Sequence, residues 1–286
     1  MDQVNIGAWE GRTQTALGAV SEAEAARIHA TLGEPHAPPP AAGEVLPPLW
    51  HWCAFPPAVP LSELGDDGHP RLGDFLPPVR LGRRMWAGGR LSFGAPLRVG
   101  ETLKCHSAIV NVQEKHTATG PMVVVTVDHR IYAERGFAVE ERQDIVYLEV
   151  PDAFRPPRKR PLPEAPVLHE RITASEPLLF RYSALTFNAH RIHYDLPYAQ
   201  GVEHYPGLVI HAPLQASWLM RAACRQRGRR PAQFDFRAVH PLFLAQGESP
   251  EIDVMATEDD CGALSLVTGQ SGHQGMQAIA IWEGTQ

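Results

Sequence analysis

Cysteine pairs, long apolar runs and an excess of positive charge are all missing from this sequence. None of the 4 cysteines in 286 residues belongs to a Cys-x-x-Cys pair, so a zinc or redox centre has no support and free thiols suit a reducing compartment. The apolar runs stop far short of the about 20 residues that a membrane-spanning helix needs, and residues 1–19 do not resemble a signal peptide. A formal charge of −6 disfavours nucleic acid as a partner. We therefore expect a cytoplasmic protein that binds neither membrane nor nucleic acid.

Several common catalytic motifs are absent as well. The sequence contains no G-x-G-x-x-G, no Walker A loop and no G-x-S-x-G. Dinucleotide chemistry and serine hydrolysis therefore have no residues to carry them.

Proline and glycine, in contrast, are abundant. The 27 prolines and 24 glycines favour many turns and short strands over long helices. Six of the prolines fall within residues 151–166, which predicts an extended connector between an N-terminal half, residues 1–150, and a C-terminal half, residues 167–286. The halves echo each other in residues 90–101 and 237–248, which indicates a duplicated fold.

The predicted connector is also basic, because it contains Arg155, Arg158, Lys159 and Arg160. Such a charge run is typical of a solvated linker, and this is our interpretation of it; contact with a phosphate group is the alternative. On the sequence alone the connector receives no ligand role.

Each half contains a series of segments with strand character. These segments are rich in β-branched or aromatic residues and are bounded by Gly, Asp or Pro. They are residues 102–113, 122–133 and 137–150 in the first half and residues 251–257, 263–269 and 276–282 in the second. We predict that both halves end as antiparallel meanders.

Two helices are predicted. Ser21 and Glu24 form a capping box at the start of residues 22–32. The second helix has Pro213 in its first turn and Gly228 at its end, and apolar residues cover most of its circumference. Such a helix must be enclosed, and a sheet curled around it meets that requirement.

The densest group of polar side chains lies in residues 181–200, where Asn188, His190, His193 and Asp195 fall within eight residues. Two interpretations remain open from the residues alone. One is a polar loop whose side chains cap backbone groups, with Asp195 at the start of a helical turn, and the other is a catalytic loop. A metal site formed by His190, His193 and Asp195 is disfavoured because no further ligand completes its shell.

These residues resemble a known family. Residues 182–195 and 205–214 are similar to the motif of MaoC-like hydratases, within them to the branch of hydroxyacyl-thioester dehydratases type 2 and mesaconyl-C4-CoA (3-methylfumaryl-CoA) hydratases. Residues 75–90 resemble the N-terminal segment of that branch, and the resemblance extends from about Leu46 to the end of the chain. It implies an α+β double hotdog, in which two curled antiparallel sheets are each associated with a helix.

The resemblance also implies roles for the polar loop. In MaoC-like hydratases an Asp and a His five residues later hold and deprotonate a water molecule, and the matching positions are Asn188 and His193. Because Asn188 cannot accept a proton as a carboxylate does, His193 is expected to be the principal base and the returning acid, while Asn188 orients the water. His190 stands where the family has a neutral Asn, and His190 and His211 are candidates for contact with the substrate or its oxyanion. Hydration of an unsaturated acyl thioester places negative charge on the thioester oxygen. Free N–H groups near Ala212, at the start of the helix that follows His211, are expected to bind this oxygen.

Arg84, Trp86 and Arg90 are further candidates for substrate binding. They belong either to a strand edge with Trp86 buried or to an arginine fork that binds a substrate carboxylate or a CoA phosphate. The arginines at the end of the second helix, between residues 221 and 230, suit a solvated or CoA-facing rim.

The expected reaction is the reversible hydration of an α,β-unsaturated acyl-CoA, with mesaconyl-C4-CoA giving citramalyl-CoA. The alternatives are itaconyl-CoA or a fatty 3-hydroxyacyl thioester as the substrate, and a thioester-binding or thioesterase hotdog without hydratase activity. Because the substrate carries its own coenzyme A, neither a cofactor nor a metal is expected. A homodimer is an inference from the resemblance alone.

Overall fold

The computed structural model describes residues 5–34, 36–117 and 120–284, so the outer ends of the two predicted halves lie outside the described residues. The strands are β1 (Thr13–Gly18), β2 (Arg83–Phe93), β3 (Leu103–Thr117), β4 (Gly120–Ala133), β5 (Gly136–Leu148), β6 (Leu168–Thr173), β7 (Leu208–Val209), β8 (Gln233–Ala238), β9 (Phe243–Leu244), β10 (Glu251–Glu258), β11 (Leu264–Gln270) and β12 (His273–Ile281). The helices are α1 (Glu22–Leu32), α2 (Glu176–Thr186), α3 (Leu196–Gly201) and α4 (Ala212–Arg227).

One antiparallel sheet of ten strands joins the two halves in the order β1-β3-β4-β5-β2-β8-β12-β11-β10-β6. The junction is the pairing of β2 with β8, where Gly88 lies opposite Arg237 and Gly89 lies opposite Phe236. A Cβ atom on Gly88 would stand 2.6 Å from the Phe236 carbonyl oxygen. The two glycines therefore allow the central strands of the two halves to approach closely.

Helix α4 is enclosed, as its sequence predicts. It packs across β2, β8, β10, β11 and β12, and buried side chains lie all around it, including Leu214, Trp218 and Ala222. Its C-cap is Gly228, with a φ of 65°, a left-handed conformation that glycine adopts without steric cost. The buried residues of α4 belong to the largest apolar core, and this packing fixes the position of the helix relative to the sheet.

All six predicted strand segments are confirmed, with ends that differ from the expected ones by up to four residues. The predicted capping box of α1 is also present, because the Ser21 hydroxyl accepts from the Glu24 N–H and the Glu24 carboxylate accepts from the Ser21 N–H. Helix α2 was not predicted, although Ser175 caps it and Pro177 lies in its first turn. In the predicted connector, all of which is described, Pro161 forms a single isolated bridge to His273.

Within the described ranges, no helix combines the length and the apolar character that crossing a membrane requires. All four cysteines lie within these ranges and none forms a disulfide.

Candidate active site

A cavity of about 1800 Å³ is lined by residues of both halves. The C-terminal half contributes the segment from α2 to α3, which contains Asn188, His190 and His193, together with the start of α4. The N-terminal half contributes a loop around His69 and parts of β2 to β5. The polar loop that the sequence singled out is therefore part of a cavity wall.

His193 lies in a short 3-10 turn, Arg191–His193, between α2 and α3. Its Nδ1 donates to the Val209 carbonyl oxygen at 2.7 Å, because a carbonyl can only accept. Burial holds the pKa of His193 well below its usual range, and the neighbouring His211 and His190 lower it further. At neutral pH the ring is therefore neutral with its proton on Nδ1, and Nε2 has a free lone pair that can accept a proton.

His211, the N-cap residue of α4, supports His193 from one side. The two rings are stacked, with centroids 3.6 Å apart and planes 19° from parallel. Nε2 of His211 is 2.8 Å from the Ser183 hydroxyl, on α2, and burial lowers the pKa of His211 to about 3. The ring of His193 is thus held between fixed neighbours rather than free to rotate.

The Asn188 side chain is oriented by the backbone. Its Oδ1 accepts from the His190 N–H at 3.0 Å, an arrangement that forms a local Asx turn. This leaves the two N–H groups of the Asn188 amide for another acceptor, and Asn188 is one of the residues lining the cavity. Asn188 can therefore hold a water or a substrate oxygen by donation but cannot remove a proton.

A loop of the N-terminal half lies against the polar loop. Asp67 accepts from the backbone N–H of His69 at 3.0 Å and from its Nδ1 at 2.8 Å, and the His69 ring lies 4.1 Å from that of His190. Gly68 approaches so closely that an added Cβ would stand 1.9 Å from the Ala189 carbonyl oxygen. The loop is fixed by a donation from the Arg191 N–H to the Asp67 carbonyl at 2.9 Å.

His190 is held from behind by a buried ion pair. Its Nε2 donates to the Glu203 carboxylate at 3.3 Å, and Glu203 in turn accepts from Arg83 on β2, both at its carboxylate and at its carbonyl. The Arg83 guanidinium also lies over the Tyr205 ring, 4.5 Å from its centroid. This chain of contacts ties the polar loop to the central strand of the other half.

The three candidates on β2 are not brought together. Arg84 and Trp86 line the cavity, and the Trp86 Nε1 donates to the Gly88 carbonyl. Arg90 is exposed and pairs with Asp235 at 2.8 Å, away from the cavity lining, so it drops out of the substrate-binding set. Among the ion pairs of the described residues, none involves Arg84.

The positive charge of Arg84 contributes to the lowered pKa of His69. Burial lowers the pKa of His69 to about 3, and the positive charge of Arg84 is the next contribution to this shift. Burial opposes ionisation of Asp67, but its hydrogen bonds with His69 outweigh that effect and lower the pKa of Asp67 to about 2. His69 is therefore neutral and Asp67 ionised at neutral pH, and the cation Arg84 lies close to them without forming a direct ion pair.

The cavity wall formed by β3, β4 and β5 contains a buried polar cluster. The buried Glu141 carboxylate accepts from His51, Trp52 and Gln143 at 2.7–3.0 Å. Burial disfavours the charge of Glu141, but the hydrogen bond with His51 and its other partners hold its pKa below the usual range. An ionised carboxylate therefore forms part of this wall.

The remaining sequence candidates have clear positions. Ala212 lines the cavity and is the first residue of α4, where its N–H has no partner within the helix. Asp195 is the N-cap of α3 and pairs with Arg191, as the polar-loop interpretation expects. The arginines at the end of α4 do not face the cavity: Arg221 and Arg225 pair with acidic side chains, and so does Arg227.

Asp67, His69 and His190 are the one group of described residues whose side chains come close enough for a metal ion, with ligand atoms within 4.8 Å of one another. Both oxygens of Asp67 already accept from His69, and His190 donates to Glu203. Hydrogen bonds within the protein account for this arrangement. The trio of His190, His193 and Asp195 does not converge in the same way, because Asp195 points to Tyr198 and Arg191.

Several residues of the site were not predicted: Arg83, Asp67, His69, Ser183, Glu203 and Glu141. Except for Asp67 and His69, which pair with each other, these residues have partners that are distant in sequence; Arg83, for example, is 120 residues from Glu203. One local signal existed, since Gly68 separates Asp67 from His69 in a turn-forming sequence.

This chain is similar to known proteins in both sequence and fold. The family model described as hydroxyacyl-thioester dehydratase type 2 matches residues 49–244. A mesaconyl-C(4)-CoA hydratase of Chloroflexus aurantiacus is 46% identical over 271 residues, which cover 91% of this chain and 95% of the relative.

Solved structures share the architecture at low sequence identity. A MaoC-like dehydratase superposes with a TM-score of 0.72 at 12% identity, covering 97% of this chain and 100% of the other. A conserved hypothetical protein of Mycobacterium tuberculosis with a double hotdog fold superposes with a TM-score of 0.57 at 12% identity, covering 95% of both chains. The expected α+β double hotdog is thereby confirmed.

Proposed function

The chain belongs to the hydroxyacyl-thioester dehydratase type 2 family of thioester hydro-lyases, and on that premise we propose that it hydrates mesaconyl-C4-CoA reversibly to citramalyl-CoA. The observation that carries the proposal is the state of His193. Its Nδ1–H is fixed on the Val209 carbonyl and its pKa is lowered, so that Nε2 is an unprotonated base in the cavity.

The proposed reaction uses this base twice. A water molecule attacks the β-carbon of the enoyl thioester while Nε2 of His193 takes one of its protons, and the electrons of the double bond move to the thioester oxygen as an enolate. The imidazolium then returns the proton to the α-carbon. The low pKa of His193 assists this second step because a strong acid gives up its proton readily.

Asn188 and Ala212 complete the proposed mechanism. The free N–H groups of the Asn188 amide hold the water oxygen, which leaves its proton to His193. The unpartnered N–H of Ala212 at the start of α4 is proposed to stabilise the enolate oxygen, with the dipole of this helix in support. Pro213 has no N–H and contributes no donor.

Two features of the wall favour a short, charged acyl group over a fatty chain. Arg84 is a cation without a carboxylate partner among the described residues and matches the free carboxylate of a dicarboxylic acyl group. The ionised Glu141 disfavours burial of a long alkyl chain against the wall formed by β3, β4 and β5. Itaconyl-CoA would satisfy the same features and is the alternative within this reaction class.

The experiment compares mesaconyl-C4-CoA, itaconyl-CoA and crotonyl-CoA by loss of enoyl-thioester absorbance, with free thiol measured in the same samples. We expect rapid hydration of a dicarboxylic substrate without thiol release, and we expect His193→Ala to abolish it while the variant still unfolds in one cooperative thermal transition. Arg84→Gln is expected to raise KM roughly tenfold or more for the dicarboxylic substrate and leave crotonyl-CoA unaffected. Thiol release, or most of kcat remaining in His193→Ala, would overturn the proposal.

The division at residues 151–166 belongs to the same proposal, with residues 167–286 as the half that carries the catalytic loop. Four free cysteines support a cytoplasmic location, since reduced thiols persist in a reducing compartment. The homodimer stays a prediction.

A further inference from the structure

The basic connector is fixed in place rather than loosely solvated. The Gln274 N–H donates to the Arg160 carbonyl at 2.9 Å, and the Gln274 side chain donates to the Pro161 carbonyl at 2.7 Å. Pro161 also forms an isolated bridge with His273, the first residue of β12. These contacts use the backbone of the connector, so its side chains remain available for other partners.

The cations of the connector have no acidic partners. Arg158, Lys159 and Arg160 are exposed, and none of the ion pairs or side-chain hydrogen bonds of the described residues involves them. The arginines of α4 differ in this respect, because Arg221 and Arg225 both pair with Glu170. A chain with a formal charge of −6 thus keeps three adjacent positive charges uncompensated.

These cations line a groove at the edge of the catalytic cavity. The groove has a volume of about 790 Å³, and Arg237 of β8 forms part of its wall together with the connector. Pro157, Ala238 and Val239 line both the groove and the catalytic cavity, so the two spaces are adjacent and share a wall. Arg155 of the connector lines the cavity itself.

We propose that this groove, lined by Arg158, Lys159, Arg160 and Arg237, binds the phosphate groups at the adenosine end of the acyl-CoA. The inference rests on the proposed function, because the thioester must lie at His193 while the nucleotide remains outside. Charge-assisted hydrogen bonds from guanidinium and ammonium groups are the usual way to bind phosphate. The interpretation of the connector as a solvated linker is replaced by that of a phosphate-binding segment.

The groove fits a nucleotide better than it fits a carrier protein. It is an open groove beside the cavity, and its wall is built from the extended connector and the neighbouring strands β8 and β12. Several phosphate groups on one small molecule match several cations within a few residues, whereas a carrier protein presents a single phosphodiester. The exposure of these side chains means that binding is screened by salt.

The test uses the triple variant R158Q/K159Q/R160Q of the full chain. Its matched control is R27Q/K104Q/R135Q, which removes the same charge from exposed positions that line neither the groove nor the cavity. Both variants are assayed with the acyl-CoA substrate and with the same acyl group on pantetheine, which has no phosphate. Binding of adenosine 3′,5′-bisphosphate is measured separately by calorimetry.

We expect the triple variant to raise KM for the CoA thioester roughly tenfold or more, with kcat within about twofold, and to leave the pantetheine thioester unchanged. The control should behave as the wild type with both substrates. The bisphosphate should bind the wild type and the control but bind the triple variant at least roughly tenfold more weakly. The salt dependence of KM should also flatten in the triple variant.

Equal losses with both thioesters, or no loss with either, would overturn the proposal. A higher KM for a carrier-protein thioester with an unchanged KM for the CoA thioester would overturn it in favour of a protein-docking surface. Failure of the hydration proposal looks different, because the wild type would then hydrate neither thioester while the calorimetric result still decides whether the groove binds phosphate.

Discussion

Replacing Gly68 by alanine tests whether the loop from the N-terminal half positions the polar loop that carries the proposed catalytic residues. Gly68 has a φ of +88°, and a Cβ atom there would stand 1.9 Å from the Ala189 carbonyl oxygen. Ordinary contact begins at 3.4 Å, so the loop must retreat by about 1.5 Å. That shift breaks the hydrogen bond from the Arg191 N–H to the Asp67 carbonyl and separates His69 from His190.

Gly100→Ala is the matched control. Gly100 has a φ of +86°, and nothing lies within 4 Å of the added Cβ. Both variants suffer the left-handed backbone penalty of about 1–2 kcal/mol in the free energy of unfolding. Only Gly68→Ala displaces the polar loop with its proposed catalytic groups, and a misplacement of about 1 Å can lower the rate roughly a hundredfold.

We therefore expect Gly68→Ala to lose roughly a hundredfold in kcat/KM for hydration of the enoyl-CoA substrate, while Gly100→Ala keeps nearly full activity. Hydration is followed by loss of enoyl absorbance, and stability is followed by urea unfolding. Equal kcat/KM values for the two variants would refute the conclusion that the loop around Gly68 positions the polar loop.

Three further predictions concern the charges around His193. Because protonation of Nε2 removes the base and burial lowers its pKa, the acid limb of kcat/KM should lie below pH 6.5, and a limb above that value would contradict the assigned state of His193. Glu203→Gln leaves Arg83 buried without its counter-charge and should cost about 3–5 kcal/mol in the free energy of unfolding, measured with urea; a loss under about 1 kcal/mol would show that the pair is unimportant. Asn188→Asp places a carboxylate near His193, so the acid limb should move to higher pH and the rate should fall more with a dicarboxylic substrate than with crotonyl-CoA. An unmoved limb would mean that residue 188 does not face the base.

The sequence predicts those parts of the fold that depend on local pattern. Alternation and β-branched residues identify the strands of both meanders, and a helix that is apolar on most sides, such as α4, must be enclosed wherever it packs. Helix α2 was missed because its residues lead directly into the polar loop and its burial is uneven, although Ser175 and Pro177 signal its start. The pairing of β2 with β8 has no local signal at all.

The site divides in the same way. Asn188 and His193 are five residues apart and follow a recognisable motif, so the sequence predicts them together. The partners that set their state come from long-range packing: the Val209 carbonyl fixes the tautomer of His193, and Arg83 reaches Glu203 across 120 residues. Arg90 was wrongly predicted to bind the substrate. It has the same side chain as Arg84, but that side chain lies on the exposed face of β2 and pairs with Asp235.

The balance of charges around His69, His190 and His193 explains why a neutral Asn188 suits this site. Asp67 is ionised but engaged by His69, and the Glu203 carboxylate is engaged by the Arg83 guanidinium. Because His69 is neutral, the negative charge of Asp67 persists, and the positive charge of Arg84 balances it. A carboxylate at position 188 would make this wall negative overall, raise the pKa of the base and repel an anionic acyl group. An amide avoids all three effects, and it still offers the two N–H donors that hold a water oxygen in place.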